Sequence, residues 1–235
     1  MSKGELTVVP LKKGAYEKPE RNNPNIPAKK YDKVDAACES AQIANDGNIY
    51  IGEEKIPDLI AKDKNRSRYI VDNRIPDDDK VIINNQKMIN TSGLVEYLDR
   101  NSHQTRSAEE AGINRYARDS LILIGDSDQA EAQRRMIDDH VGKELPKLRK
   151  QRGVGYDEIT RKPLERGAAF HHIKDKAIHN NPFDVIDPDK GINVNADTHK
   201  EIHRRHIMDE DQLEAEKEDI CKTIKERGSK NTGHL

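Results

Sequence analysis

Residues 168–173 read AAFHHI and residues 191–203 read GINVNADTHKEIH, and these two stretches hold four of the nine histidines in the chain. The first stretch has the composition of a β-strand. The second predicts a short strand over 192–195 that leads into a helix, for which Asp197 or Thr198 is the expected N-cap. The two stretches therefore predict a compact unit of two strands and one helix.

The four histidines form an ordered pattern within this unit. His199 and His203 are one turn apart on the predicted helix, so two neutral imidazoles lie on one face and can chelate a metal ion. A single pair at this spacing occurs by chance in many helices, and adjacent histidines such as His171 and His172 usually have no special role. A His-His strand, a second strand fewer than thirty residues later and a helix with His-x3-His are much less expected together. The combination points to a metal site.

This arrangement resembles the HNH, or ββα-metal, nuclease family over residues 153–206. Residues 156–164 resemble the hairpin that many members place before the His-His strand. The ligand pattern is most similar to that of colicin-type nucleases, in which the helix carries a second histidine one turn after the last histidine of the motif. The resemblance implies a C-terminal ββα-metal domain whose metal ligands are His171, His199 and His203.

The resemblance also implies that His172 is the general base. An unperturbed histidine has a pKa near ~6.5, so a neutral fraction is present at pH 7 to accept a proton from water. Adjacent strand residues point to opposite faces, so His171 and His172 need a local twist or must approach one phosphate from two sides. A divalent ion held by three imidazoles keeps open positions for the phosphate and the leaving oxygen. Imidazole suits Zn or Ni, and phosphate oxygens can complete the shell of Mg or Mn.

One position departs from the family pattern. Lys190 stands where the family usually has an asparagine, which braces the loop and helps to orient the base. We expect Asn193, Asn195 or the main chain of Lys190 to take over this supporting role. The chain also lacks the paired Cys-x2-Cys motifs that hold many HNH domains together, so a small core must suffice. The expected core residues are Phe170, Ile173, Ile178, Phe183, Val185, Ile186 and Ile192.

The charge around the site favours a phosphate-bearing substrate. Residues 143–182 contain ten basic and five acidic residues, whereas residues 209–226 contain three basic and eight acidic ones. A local positive patch attracts nucleic acid although the whole chain carries a net charge of -2. The alternative for the basic stretch before residue 153 is a solvated connecting helix. The expected nucleic-acid-binding residues are Lys147, Arg149, Lys150, Arg166, Lys174 and Arg204.

The composition of the chain limits its architecture. Of the 235 residues, 36% are charged and 33% hydrophobic, and the mean hydropathy is -0.99. So polar a chain does not bury one large core, and we predict an α+β protein of small modules. No apolar run reaches the roughly 18 residues of a membrane span, so we expect a cytoplasmic protein with no membrane partner. The predicted segments are an arm over 1–30 that is flexible or wraps over the next module, an α+β module over 31–125, a helical basic linker over 126–152, the HNH nuclease domain over 153–208, and an acidic helix with a disordered tail over 209–235.

Within the 31–125 module the periodicity predicts a helix that reaches Ile43 and Ala44, a strand at residues 69–71 and a hairpin over 81–89. Thr91 or Ser92 is the expected cap of the next helix. Ser107 opens a capping box for the following one, and Pro146 is expected to kink or break the linker helix.

The sequence thus favours a metal-dependent DNA endonuclease whose N-terminal module chooses the target, docks a protein partner or regulates activity. A phage-defence or restriction effector, a phage-encoded nuclease and a toxin nuclease all use the domain it resembles. The competing hypothesis is a non-catalytic nucleic-acid-binding protein, in which the histidines hold a structural metal. His172 separates the two hypotheses, because a structural three-histidine site has no need of a fourth imidazole beside a ligand.

Overall fold

The computed structural model describes residues 6–174 and 182–231, with side chains as far as Arg227, and it confirms the α+β class. The chain packs into two compact units, Met1–Ile137 and Asp138–Leu235. The α-helices are α1 (Ala28–Glu39), α2 (Ile56–Leu59), α3 (Lys64–Arg74), α4 (Thr91–Gln104), α5 (Ala108–Gly125), α6 (Asp128–Glu144), α7 (Leu148–Gln151), α8 (Ala196–Arg204) and α9 (Glu210–Asn231). The strands are β1 (Val8–Pro10), β2 (Gln42–Ala44), β3 (Ile49–Gly52), β4 (Lys80–Ile83), β5 (Gln86–Asn90), β6 (Ala169–His172) and β7 (Gly191–Val194).

Among the described residues, no helix combines the length and the apolar character that crossing a bilayer requires.

The first unit is built on a five-stranded sheet in the order β1-β2-β3-β5-β4, with every neighbouring pair antiparallel. The predicted hairpin is confirmed as β4 and β5. Its two turn residues, Asn84 and Asn85, have φ of 50° and 62°. Two consecutive left-handed residues match the twist of a tight hairpin, and asparagine tolerates this conformation better than most residues.

Helices cover one face of this sheet. Tyr31 of α1 meets Tyr116 of α5 edge to face, with ring centroids 4.7 Å apart. The Tyr116 hydroxyl donates to buried Asp35 at 2.7 Å, so this buried carboxylate has a hydrogen-bond partner.

The arm wraps over the module, because β1 pairs with β2 and both Leu11 and Ile26 are buried in the core.

The strand expected at residues 69–71 is wrong, because this segment lies in helix α3. The side chain of Asp63 accepts the main-chain N–H of Arg66 at 2.9 Å and caps the helix. Ser67 and Ile70 are buried at helical spacing. The cap and this spacing therefore outweigh the strand preference of a short β-branched run.

Two other boundaries in the first unit also differ from the expectation. Helix α1 ends at Glu39, and Ile43 and Ala44 form strand β2 instead of continuing it. The N-cap of α4 is Asn90, whose side chain accepts the N–H of Ser92 at 3.0 Å, one residue before the expected cap.

The other two expectations about helix ends are confirmed. Ser107 caps α5 by accepting the N–H of Glu110 at 3.2 Å. Helix α6 ends at Glu144, and a 3-10 turn over Leu145–Lys147 follows at Pro146, where proline removes a donor. The division between the two units falls inside α6.

The second unit has its core between β7, α8 and α9. Of the expected core residues, Ile192 belongs to it, Ile173 packs at its edge, and Val185 is buried outside it. Ile178 lies outside the described residues, and the remaining three, Phe170, Phe183 and Ile186, are half-buried. The buried cluster is Ile159, Ile192, Val194, Ile202, Ile207, Leu213, Ile220 and Ile224. The acidic helix α9 therefore contributes its apolar side to this core.

Candidate metal centre

Strands β6 and β7 form a regular antiparallel pair, in which His171 lies opposite Ile192 and His172 opposite Gly191. A side chain at Gly191 has no room, because a Cβ atom there would lie 2.5 Å from the carbonyl oxygen of His171 and 2.3 Å from the Phe170 ring. The glycine therefore permits the close approach of the two strands that carries His171 to helix α8.

Three histidines converge at this point. The ligand atoms of His171, His199 and His203 all lie within 4.8 Å of one another. The Nε2 atoms of His199 and His203 are 3.2 Å apart. Zinc–nitrogen bonds of about 2.1 Å at tetrahedral angles place two ligand nitrogens roughly 3.4 Å apart, so the helical pair already has the spacing of a chelate.

Burial favours the neutral form of two histidines in the cluster. Burial lowers the pKa of His171 to about 4, and His199, His203 and His172 act in the same direction. Burial also lowers the pKa of His199, with His203 as the second cause. Only a neutral imidazole binds a metal, so His171 and His199 do not need to lose a proton at neutral pH.

His172 is held separately from the cluster. Its Nε2 atom lies 2.7 Å from the carbonyl oxygen of Val185, which belongs to the 3-10 turn entered at Pro182. The Phe170 ring packs against the imidazole at 5.0 Å between centroids. Since a carbonyl oxygen only accepts, Nε2 donates and the lone pair of neutral His172 lies on Nδ1.

The three expected supporting residues have other contacts. Asn193 donates from Nδ2 to the carbonyls of Arg149 and Val154, at 2.9 and 3.1 Å. Asn195 donates to the carbonyl of Pro163 at 3.0 Å and accepts the N–H of Glu165 at 2.8 Å. Both asparagines thus fasten β7 to the segment before β6.

Lys190 contributes through its main chain. Its carbonyl oxygen accepts the N–H of Ile173 at 3.1 Å, directly after the His-His pair. Its Nζ lies 4.0 Å from a carboxylate oxygen of Asp184, at the limit of an ion pair. The ring of His172 is held by Val185 rather than by these three residues, a main-chain contact that leaves no trace in the sequence.

The lead-in segment closes as an antiparallel bridge between Tyr156 and Pro163. Asp157 is fully buried, and one of its carboxylate oxygens accepts the N–H groups of Ile159 and Thr160 at 3.0 and 2.7 Å. The other accepts the N–H of Asn195 at 2.7 Å. No pattern in the sequence singles out Asp157, because its role depends on this long-range hydrogen bond.

Arg152, the last basic residue of the linker, connects the linker to strand β7 through Glu158. Its Nη2 donates to Glu158 at 2.8 Å, and the same carboxylate accepts the N–H of Asn193 at 2.7 Å. The linker's end is thereby tied to β7.

Helix α8 begins at Ala196, and its N-cap is Asn195. The two residues expected as the cap, Asp197 and Thr198, lie in the first turn of the helix instead. Its histidine face carries His199 and His203, and Glu201 lies between them in sequence, fully buried. The guanidinium of Arg204, with those of Arg205 and Arg227, lowers the pKa of Glu201 to about 2. Arg205 also pairs with Glu216 of α9, so these charges join α8 to α9.

The expected nucleic-acid-binding residues separate into two sets. Lys147 pairs with Glu144 at 2.7 Å, Arg149 donates to the carbonyl of Ala168 at 3.0 Å, and Arg204 pairs with Glu201. The other three are exposed and form no ion pair with a described residue. These are Lys150, Arg166 and Lys174.

Comparisons of the chain with family models, with curated proteins and with solved structures found no match.

Proposed function

We propose that this protein is a metal-dependent endonuclease that hydrolyses phosphodiester bonds in DNA. The observation that carries the proposal is the convergence of His171, His199 and His203, with His172 anchored next to them in the chain. An all-imidazole set of three leaves coordination positions open, which a catalytic site needs and a closed structural site does not.

The residues fit a divalent ion of the zinc or nickel type. The helical pair has the nitrogen spacing of a chelate, and the pKa of His171 near 4 leaves its imidazole ready to bind at pH 7. A bound ion would stabilise negative charge on the scissile phosphate and on the leaving oxygen.

His172 supplies the proton acceptor. Its Nε2–H is directed to the Val185 carbonyl, which fixes the ring, and Nδ1 is the ring nitrogen that would accept a proton from the attacking water. The contact performs the orienting task that the family resemblance assigns to an asparagine, which this chain lacks at position 190.

The exposed cations supply attraction for the substrate. Lys150, Arg166 and Lys174 have no carboxylate partner among the described residues, so their charges are available to phosphates. Phosphate contacts of this kind hold a strand without reading its sequence.

A plasmid-nicking assay with purified protein tests the proposal. We expect cleavage with added Zn, Ni, Mn or Mg, no cleavage in excess EDTA, and recovery when the metal is restored. His206→Ala is the matched control, because His206 is an exposed histidine just after α8 and is not part of the cluster. Undiminished cleavage in EDTA contradicts the metal-dependent mechanism. Metal binding without any cleavage favours the non-catalytic binding protein instead.

A further inference from the structure

A cavity of about 490 Å³ lies in the first unit, between helices α3 and α4. Its volume is that of a site for a small organic ligand. Four cationic side chains line it, and no carboxylate does so among the described residues. The four are Lys62, Arg66, Arg74 and Arg100. A cavity lined in this way suits an anion, not an apolar molecule.

Two of these cations are not neutralised. Lys62 pairs with Glu110 at 2.7 Å, and exposed Arg100 lies 3.7 Å from Glu96. In the described part of the chain, neither Arg66 nor Arg74 has an ion pair. Both are exposed on α3, and two guanidinium groups at one cavity can bind phosphate oxygens through paired N–H donors.

Aromatic and amide groups complete the lining. Tyr69 is 50% exposed, and the guanidinium of Arg66 lies 5.6 Å from the centroid of its ring. Burial and Glu110 raise the pKa of Tyr97, whereas Arg66 and two further arginines oppose the shift, so three guanidinium groups lie within electrostatic reach of its hydroxyl. The amides are those of Asn73, Asn101 and Gln104.

We propose that this cavity binds a nucleoside phosphate, either as a free nucleotide or as the terminal nucleotide of a nucleic-acid strand. Arg66 and Arg74 contact the phosphate, and the base stacks on Tyr69. Base stacking on an aromatic side chain tolerates any base, and the amides offer donors and acceptors to its edge. The proposal rests on the first unit alone and is independent of the histidine cluster.

Isothermal titration of the full-length protein tests this proposal, with EDTA present so that the histidine cluster holds no metal. The probes are AMP, ATP, a short oligothymidine with a 5′-phosphate and inorganic phosphate. Binding of AMP or ATP identifies a free nucleotide as the ligand, and binding of the oligothymidine alone identifies a strand end. Failure of all three to bind, or inorganic phosphate binding as tightly as they do, overturns the proposal.

Variants on α3 assign the binding to this cavity. Arg66→Ala with Arg74→Ala should weaken binding by roughly tenfold for each charge-assisted hydrogen bond that the substitutions remove. Tyr69→Ala should weaken nucleotide binding but leave inorganic phosphate binding unchanged. The matched control is Arg68→Ala, which removes the same charge from an exposed position on the same helix outside the cavity. A loss as large in Arg68→Ala as in the double variant contradicts the site, and no effect of Tyr69→Ala contradicts the base contact.

Discussion

The buried carboxylate of Asp157 accepts the main-chain N–H of Asn195 at 2.7 Å, across 38 positions of the sequence. Asn195 is the residue from which helix α8 starts, and that helix carries His199 and His203. The carboxylate therefore fixes the lead-in segment and the start of the histidine helix to each other.

Asp157→Ala should destabilise the second unit by about 2–4 kcal/mol, because three buried N–H groups lose their acceptor. Urea unfolding followed by circular dichroism measures the loss, and amide hydrogen exchange over residues 153–203 locates it. Asp189→Ala is the control. Asp189 accepts a hydrogen bond from the Arg152 side chain, but its own side chain is 87% exposed. Its loss should therefore change stability by less than about 0.5 kcal/mol. Equal effects of the two substitutions would contradict the role of Asp157.

His172→Ala should slow cleavage by ~10²–10⁴-fold while metal binding survives, because the variant loses the proposed base and keeps the three proposed ligands. His199→Ala should instead weaken metal binding itself, since it removes one half of the helical chelate. Single-turnover cleavage and calorimetric metal titration measure the two effects separately. If His172→Ala cut DNA at the wild-type rate, His172 would not be the base.

Replacing Lys150, Arg166 and Lys174 together with alanine should weaken binding to all DNA sequences alike. If all three contact duplex phosphates, the slope of log affinity against log salt becomes shallower by roughly two to three units. Fluorescence anisotropy on the His172→Ala background measures this without cleavage. Lys217→Ala with Lys222→Ala on α9 is the control and should leave the slope unchanged. A wild-type slope in the triple variant would identify these cations as ordinary solvated charges.

Gly191→Ala should separate β6 from β7, because its Cβ atom would lie 2.5 Å from the carbonyl oxygen of His171. We expect a loss of about 1–3 kcal/mol and weaker metal binding, since His171 reaches the cluster through this strand pair. Gly142→Ala is the matched control, and we expect it to change stability in the opposite direction. Gly142 lies within α6 with nothing in the way of a Cβ atom, so alanine should stabilise the helix by about 0.5–1 kcal/mol. Thermal unfolding and metal titration of both variants check the prediction, which fails if Gly191→Ala matches the wild type.

The sequence predicts best where a local rule acts alone. The helix cap at Ser107, the hairpin turn at Asn84 and Asn85 and the break at Pro146 each depend on residues within one turn, and all three are confirmed. The strand expected at residues 69–71 is wrong because a cap six residues earlier, at Asp63, starts a helix through it. A short β-branched run carries too little information to outweigh that cap.

In the histidine cluster, too, the sequence predicts the local relationships and misses the long-range ones. The i,i+4 spacing of His199 and His203 is local, and the sequence alone puts these two rings on one helix face. The contacts of His172 with the Val185 carbonyl and of Asp157 with the Asn195 N–H involve main-chain atoms, which have no residue identity to read. The charged side of α9 is apparent in the sequence, whereas the depth of Ile220 in the core depends on tertiary packing.

The ion pairs of Glu201 set the smallest fragment in which the histidine helix can be studied. Glu201 is fully buried, and Arg227 near the end of α9 is one of its partners, at 3.0 Å. A peptide cut at residue 208, where the predicted nuclease domain ends, would expose Ile202 to water and leave Glu201 without that partner. An excised fragment for metal spectroscopy therefore has to run from α7, where the Arg149 carbonyl accepts from Asn193, through Arg227. An affinity tag is better placed beyond residue 231 than in place of α9.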